Sequence, residues 1–236
     1  MASRLPSVLA ISLPLALAAV IGIISFPTEV LAQQFMPPDR GLPGRREGGG
    51  TRGGCLHGQV PLVALMPDTN FGQTTQEQPT LYWYTPPMSA NTAELVVLDN
   101  NDDEVYRSAI ALPESGGIVN ITLPAVGDRS LLDLNKDYHW YFSLICDPMD
   151  RSGDIFVEGW IQRVEPSDDL SRRLMVASTE QERAIAYAES GIWYDALRSV
   201  ATSRQSRPGD PAASGGWSTL LESIGLDSLV AQPLTP

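Results

Sequence analysis

Tyr138-His139-Trp140-Tyr141-Phe142-Ser143-Leu144-Ile145-Cys146 is the stretch on which the fold turns. Read with a period of two, Tyr138, Trp140, Phe142, Leu144 and Cys146 share one face, while His139, Tyr141, Ser143 and Ile145 share the other. The next apolar run, 155–164, sets Ile155, Val157 and Ile161 against Phe156, Glu158, Trp160 and Gln162. Both faces of both runs therefore carry large apolar groups. A strand with one face open to water alternates apolar with polar instead. A covering layer is expected over the outer face, supplied by this chain or by a partner.

Outward from this pair, short β-type runs fall at 62–66, 80–84, 93–98, 105–110 and 118–123. Turn residues separate them, as in Asp99-Asn100-Asn101-Asp102 and Ser115-Gly116-Gly117. Seven such strands over about 100 residues predict an antiparallel β-sandwich across 61–165. Leu81-Tyr82-Trp83-Tyr84-Thr85-Pro86 resembles the second strand of fibronectin type III modules with its core tryptophan. Leu134 ahead of Tyr138 resembles the tyrosine-corner segment of that family and of immunoglobulin-like domains, at shorter spacing.

Beyond Pro166 the apolar period lengthens to about 3.6, so 166–236 is expected to be helical. Ser167 or Asp168 can cap a helix running through Val176, Thr179 can cap one from Glu180, and Gly191 can end it. Ala184, Tyr187, Gly191, Trp193, Ala196 and Pro208 resemble spaced positions of the tetratricopeptide repeat, and Trp217-x-x-Leu220 resembles the start of another. Glu180, Arg183 and Ser203 depart from that pattern. A repeat and a half leaves its own apolar face uncovered, since about three are needed for stability. The helices are therefore expected to pack on the exposed sheet face, with Trp193 or Tyr194 at the junction.

The N-terminus reads differently. Arg4 precedes an uncharged, mostly apolar run from 5 to 26, and Val30-Leu31-Ala32 suits a signal peptidase before Gln33, so 1–32 is expected to be a secretory signal. An uncleaved anchor is the competing reading, weakened by Pro6 and Pro14. After cleavage no stable membrane span is expected, and the chain is placed in the periplasm or outside the cell. Segment 33–60 is rich in glycine and carries Arg40, Arg45, Arg46 and Arg52, which predicts a flexible tether. In an oxidising compartment Cys55 and Cys146 are expected to form a disulfide closing a loop of about 90 residues; two separate thiols are the alternative.

The 236 residues are 43% hydrophobic and 19% charged, with a net charge of −12. Lys136 is the only lysine among 16 cations. That balance argues against nucleic acid as a partner, because phosphate binding needs clustered cations. From Arg40 to Leu226 the chain resembles a cyanobacterial family of secreted proteins known as domain of unknown function 928. The resemblance is carried by Gly48-Gly49-Gly50-Thr51-Arg52-Gly53-Gly54-Cys55, by the 138–148 run ending Cys146-Asp147-Pro148, by Phe156-Val157-Glu158-Gly159-Trp160-Ile161-Gln162-Arg163, and by Gly191-Ile192-Trp193-Tyr194-Asp195-Ala196-Leu197. It implies export and a cyanobacterial source, and it implies no activity.

No catalytic residue is assigned. Ser115 lacks the preceding glycine of a nucleophile elbow, and only His57 and His139 could act as a histidine base. His139 reads better as a buried, hydrogen-bonded residue. Asp99-x-Asn101-x-Asp103 begins like an EF-hand loop, but Glu104 and Ile110 stand where glycine and glutamate are required. Asp147, Asp150 and Asp154 join the two longest strands, and could gather one calcium ion as the single candidate cofactor. In the competing reading Arg151 pairs with Asp147 or Asp154 and fixes the loop without metal. Tyr82, Tyr84, Tyr141, Phe156 and Trp160 could form a platform for a glycan, against core packing or burial under the helices. The leading expectation is a non-enzymatic envelope module that binds a protein partner, with a carbohydrate-binding module second and a hydrolase using His139 third.

Overall fold

Alternating apolar residues give strands here, and their pairing sorts them into two principal sheets. The computed structural model of the chain describes residues 34–49, 55–57 and 60–235. The signal segment, Arg52 and the glycines at 50, 53, 54 and 58 lie outside the described residues. The strands are β1 (Val63–Ala64), β2 (Phe71–Thr74), β3 (Thr80–Thr85), β4 (Thr92–Leu98), β5 (Glu104–Ala111), β6 (Gly117–Thr122), β7 (Ala125–Val126), β8 (Arg129–Ser130), β9 (Asp137–Leu144) and β10 (Ile155–Arg163). One sheet has three strands in the order β1-β3-β6, and the other has five in the order β2-β10-β9-β4-β5, with β7 and β8 forming a separate ribbon. Every pair in the two principal sheets is antiparallel except β2, which runs parallel to β10 with Phe71 opposite Trp160.

Each of the seven expected runs contains a strand, with ends moved by a few residues at most. The sheets face each other through the side chains that the alternation assigns inward. Trp83 of β3 stacks on Phe142 of β9 with ring centroids 4.2 Å apart, and meets Trp140 edge-on at 5.7 Å. Such pairs add about 0.5–1.5 kcal/mol each beyond the area they bury. The Tyr138 hydroxyl accepts the Asp133 backbone N–H at 3.0 Å and so ties the approach to β9 onto the strand.

Four helices follow: α1 (Asp168–Val176), α2 (Glu180–Glu189), α3 (Trp193–Ser206) and α4 (Pro211–Glu222). Ser167 caps α1, and Thr179 with Glu182 forms a reciprocal capping box on α2, as the sequence requires. A good cap is worth about 1 kcal/mol. Helix α3 is the one that joins helices to sheets. Trp193 donates its indole N–H to the Leu65 carbonyl at 2.9 Å, and Tyr194 is hydrogen-bonded to Trp140. Gly72 in β2 makes the approach feasible, since a Cβ there would lie 2.7 Å from the Tyr194 ring.

The helices cover a different face from the one expected. Helix α3 contacts β2 and β3, and the outward residues of β3, Tyr82 and Tyr84, are buried. Burial pushes the Tyr82 hydroxyl up to about 12. The reason lies in β3 itself: all six of its residues are buried, so both of its faces need a neighbour. The outer face of β9 and β10 is left to other means.

The expected tether is a second correction. Arg45 exchanges backbone hydrogen bonds with Glu158 of β10, while Gly48 donates to Leu62 and Arg46 accepts from Ala64 of β1. Residues 45–48 thus bridge the two sheets along one edge. The arginines are clasps as well: Arg40 pairs with Asp137 and lies 4.7 Å from the Phe71 ring centre, and Arg46 donates to the Ile224 carbonyl at 2.9 Å. Gly44 and Gly48, which read as flexible, are closely packed: a Cβ there would lie 2.9 Å from Asn70 Cβ and 3.0 Å from Ile155 Cγ2.

Candidate functional site: the outer face of the five-stranded sheet

Strands β9 and β10 turn His139, Tyr141, Phe156, Glu158 and Trp160 outward, and each is partly exposed. The register sets Trp160 opposite His139 and Glu158 opposite Tyr141. The imidazole of His139 stacks on the Trp160 indole at 4.2 Å with only 6° between planes. Tyr141 lies tilted against the same imidazole at 4.3 Å, and Phe156 extends the row 6.2 Å beyond Tyr141.

Polar atoms are threaded through this row. The Tyr141 hydroxyl lies 3.1 Å from His139 Nδ1, within hydrogen-bond distance. Glu158 Oε2 lies 3.1 Å from His139 Nε2, close enough for an ion pair but without hydrogen-bond alignment, so that nitrogen has no hydrogen-bond partner. Burial lowers the His139 pKa against the opposing pull of Glu158 and the more distant Asp102. Burial likewise raises that of Tyr141. The imidazole is therefore held toward its neutral form beside a carboxylate.

The N-terminal segment crosses part of this face. Trp160 donates its indole N–H to the Pro43 carbonyl at 2.8 Å, and the Arg45 guanidinium lies 5.0 Å from the centre of the Phe156 ring. At the far side Glu94 of β4 takes both Arg107 of β5 and Arg151. Burial pushes the Glu94 carboxyl upward, but these two guanidinium groups bring it below its ordinary value. Strand β5 itself is bonded to β4 alone and forms the open edge of the sheet among the described residues.

The remaining predicted residues fall elsewhere. The carboxylates of 147–154 do not converge. Asp147 accepts from the Met149 N–H, Asp150 from Ser152, and Asp154 from the Cys146 N–H and Arg151. Among the described residues no group of three His, Cys, Asp or Glu side chains could hold a metal ion. Cys55 and Cys146 are joined in a disulfide with Cα atoms 5.6 Å apart. Trp193 and Tyr194 stand at the helix–sheet junction rather than on the surface. His139 lines none of the cavities of about 290, 680, 340 and 320 Å³ that open on the surface. Sequence reasoning missed Gln76 and Asp195, which share the first of these cavities. Asp195 announces itself only as a carboxylate within the apolar run Trp193-Tyr194-Asp195-Ala196-Leu197.

The class defined so far is a mixed β and α protein, two facing sheets and four helices stapled by one disulfide. Residues 47–234 match the family model of DUF928, Domain of Unknown Function, and the chain belongs to that family. No curated protein matches it. Among the described residues no helix is long and apolar enough to cross a membrane.

Proposed function

We propose that the chain is an exported, non-enzymatic module of the cell envelope that binds a partner protein through the outer face of its five-stranded sheet. The observation that carries this reading is the partly exposed row of His139, Tyr141, Phe156 and Trp160, left uncovered by the helices and leading across the sheet to the open edge of β5. Aromatic side chains with a polar tip dominate contact energetics in such surfaces. An open edge supplies main-chain donors and acceptors to an extended partner segment. The disulfide agrees with an oxidising compartment, as the signal-like N-terminus does.

The fold supports the reading by analogy. Three strands facing a C′-C-F-G type sheet, with the Tyr138 hydroxyl bonded five residues upstream, resemble fibronectin type III and immunoglobulin-like sandwiches. The α2–α3 hairpin with Trp193 after Gly191 resembles a tetratricopeptide hairpin. Both kinds of module commonly mediate contacts, and a cyanobacterial envelope is the source that the family resemblance suggests.

The test is site-directed photocrosslinking in envelope preparations from position 106 on β5. A discrete protein adduct that disappears in the Trp160→Ser and Ser108→Pro variants supports the reading; no adduct, or one indifferent to both, refutes it. One observation favours a second reading. Trp160, stacked on His139 by one face, has its other face for a sugar ring to lie on. An array of envelope polysaccharides, with binding lost in Trp160→Ser, would favour that reading over the first.

A further inference from the structure

The loop after β2 and the facing sides of α2 and α3 enclose a polar cavity of about 290 Å³. Pockets for drug-sized ligands begin at about 300 Å³, so this one suits a smaller molecule. Its inner wall holds Asp195, which is only 3% exposed. Neutral donors satisfy that carboxylate: Thr74 Oγ1 at 2.5 Å, Thr75 Oγ1 at 2.6 Å and the Thr75 N–H at 2.9 Å. Burial raises its pKa.

The same cavity also holds two guanidinium groups, Arg183 and Arg198, and the Glu180 carboxylate. Arg198 is exposed at the rim and makes no ion pair among the described residues. Arg183 meets Glu180 only loosely, at 3.8 Å. Eight of the thirteen described arginines, Arg183 among them, lie within 4.0 Å of a carboxylate, whereas the Arg198 guanidinium stands over a polar cavity without one. Tyr187, Ser199 and Thr202 add hydroxyls to the wall, and Gln76 adds an amide. Their donors and acceptors match those of a polyol.

We propose that this cavity binds a small hydroxylated molecule carrying one oxyanion, of the sugar-acid or sugar-phosphate kind, with Arg198 and Arg183 on the oxyanion and Gln76, Ser199 and Thr202 on the hydroxyls. Guanidinium suits either oxyanion, because its fork pairs with carboxylate and phosphate alike. The site lies on the helices and is independent of the aromatic sheet face.

Calorimetric titration of the full chain with glucuronate, glucose 6-phosphate and neutral glucose tests the proposal. At least one charged sugar should bind with a Kd of about 1 mM or tighter, and which of the two binds better names the oxyanion. Neutral glucose should bind at least about tenfold more weakly, and Arg198→Gln should weaken the charged sugar about tenfold, the loss of one charge-assisted hydrogen bond. Arg198 is exposed, so this variant should melt where the parent does. Gln76→Ala should weaken the same sugar without changing its salt dependence. Absence of binding by both charged sugars, equal binding of glucose, or unchanged affinity in Arg198→Gln would overturn it.

Discussion

Trp140 of the five-stranded sheet donates its indole N–H to the Tyr194 hydroxyl of α3 at 3.0 Å, inside the core. The same hydroxyl donates onward to the Trp160 carbonyl at 3.1 Å. Sheet and helix are therefore joined by a buried polar chain rather than by apolar packing alone. Tyr194→Phe keeps the ring and removes both bonds, leaving the buried Trp140 indole N–H without its partner. A loss of about 1–3 kcal/mol is expected. In urea it should appear as a lower midpoint at unchanged slope, and an unaltered midpoint would refute the role given to the hydroxyl.

Stability should depend on pH through His139. Burial lowers its folded pKa below the ordinary 6.5, so the unfolded chain takes up the proton first as pH falls. The contribution is complete above pH 6.5 and is lost as pH drops through the lowered folded value. His139→Gln should flatten that part of the profile. Melting curves between pH 7.5 and 5 give the comparison, and identical slopes in the two proteins would count against it.

The disulfide closes a separation of 91 residues. Loop-closure entropy puts its contribution at about 4.6 kcal/mol. The Cys55→Ser, Cys146→Ser double variant should unfold at clearly lower urea, and the parent should show no reactive thiol before reduction. Reactive thiols in the native protein would remove the bridge from the account.

Gly159 faces inward on β10 between bulky neighbours. A Cβ there would lie 2.5 Å from Met66 Sδ and 2.6 Å from Trp140 Cζ2. Gly159→Ala should cost about 1–3 kcal/mol by overpacking, and Met66→Ala in the same chain should return part of it. A fully additive double variant would show that the two positions do not compete for space.

Calcium should leave the melting temperature unchanged at millimolar concentration after chelation. Asp147, Asp150 and Asp154 are each turned to local donors rather than to one centre. A rise of several degrees would show that the loop rearranges around a cation.

The period-two alternation of 138–146 and 155–164 was enough to place both strands and to assign the inward and outward sets correctly. Caps at Ser167 and Thr179 placed two helix starts, because capping is local chemistry. Strand β2 escaped notice: Phe71-Gly72-Gln73-Thr74 has little apolar pattern, and it is held by parallel pairing to a strand far along the chain. Which face the helices cover depends on how closely α3 approaches Gly72, a distance no periodicity encodes. The clasp at 45–48 was hidden for the converse reason, since glycine and arginine read as solvated chain until partners are in place. The aromatic row was legible as residues and not as a surface. Asp195 was hidden because its donors, Thr74 and Thr75, lie 120 residues or so away along the chain.

The clasp also sets an order of events. Pro43 meets Trp160 across 117 residues, and Cys55 waits 91 residues for Cys146. A chain emerging N-terminus first, from a ribosome or through a translocon, cannot seat its leading segment until β10 has followed. Maturation is therefore a first-out, last-locked process, in which the final strand of the sheets admits the N-terminal segment. With only two cysteines in the sequence, the long wait carries no risk of a wrong bridge within the molecule.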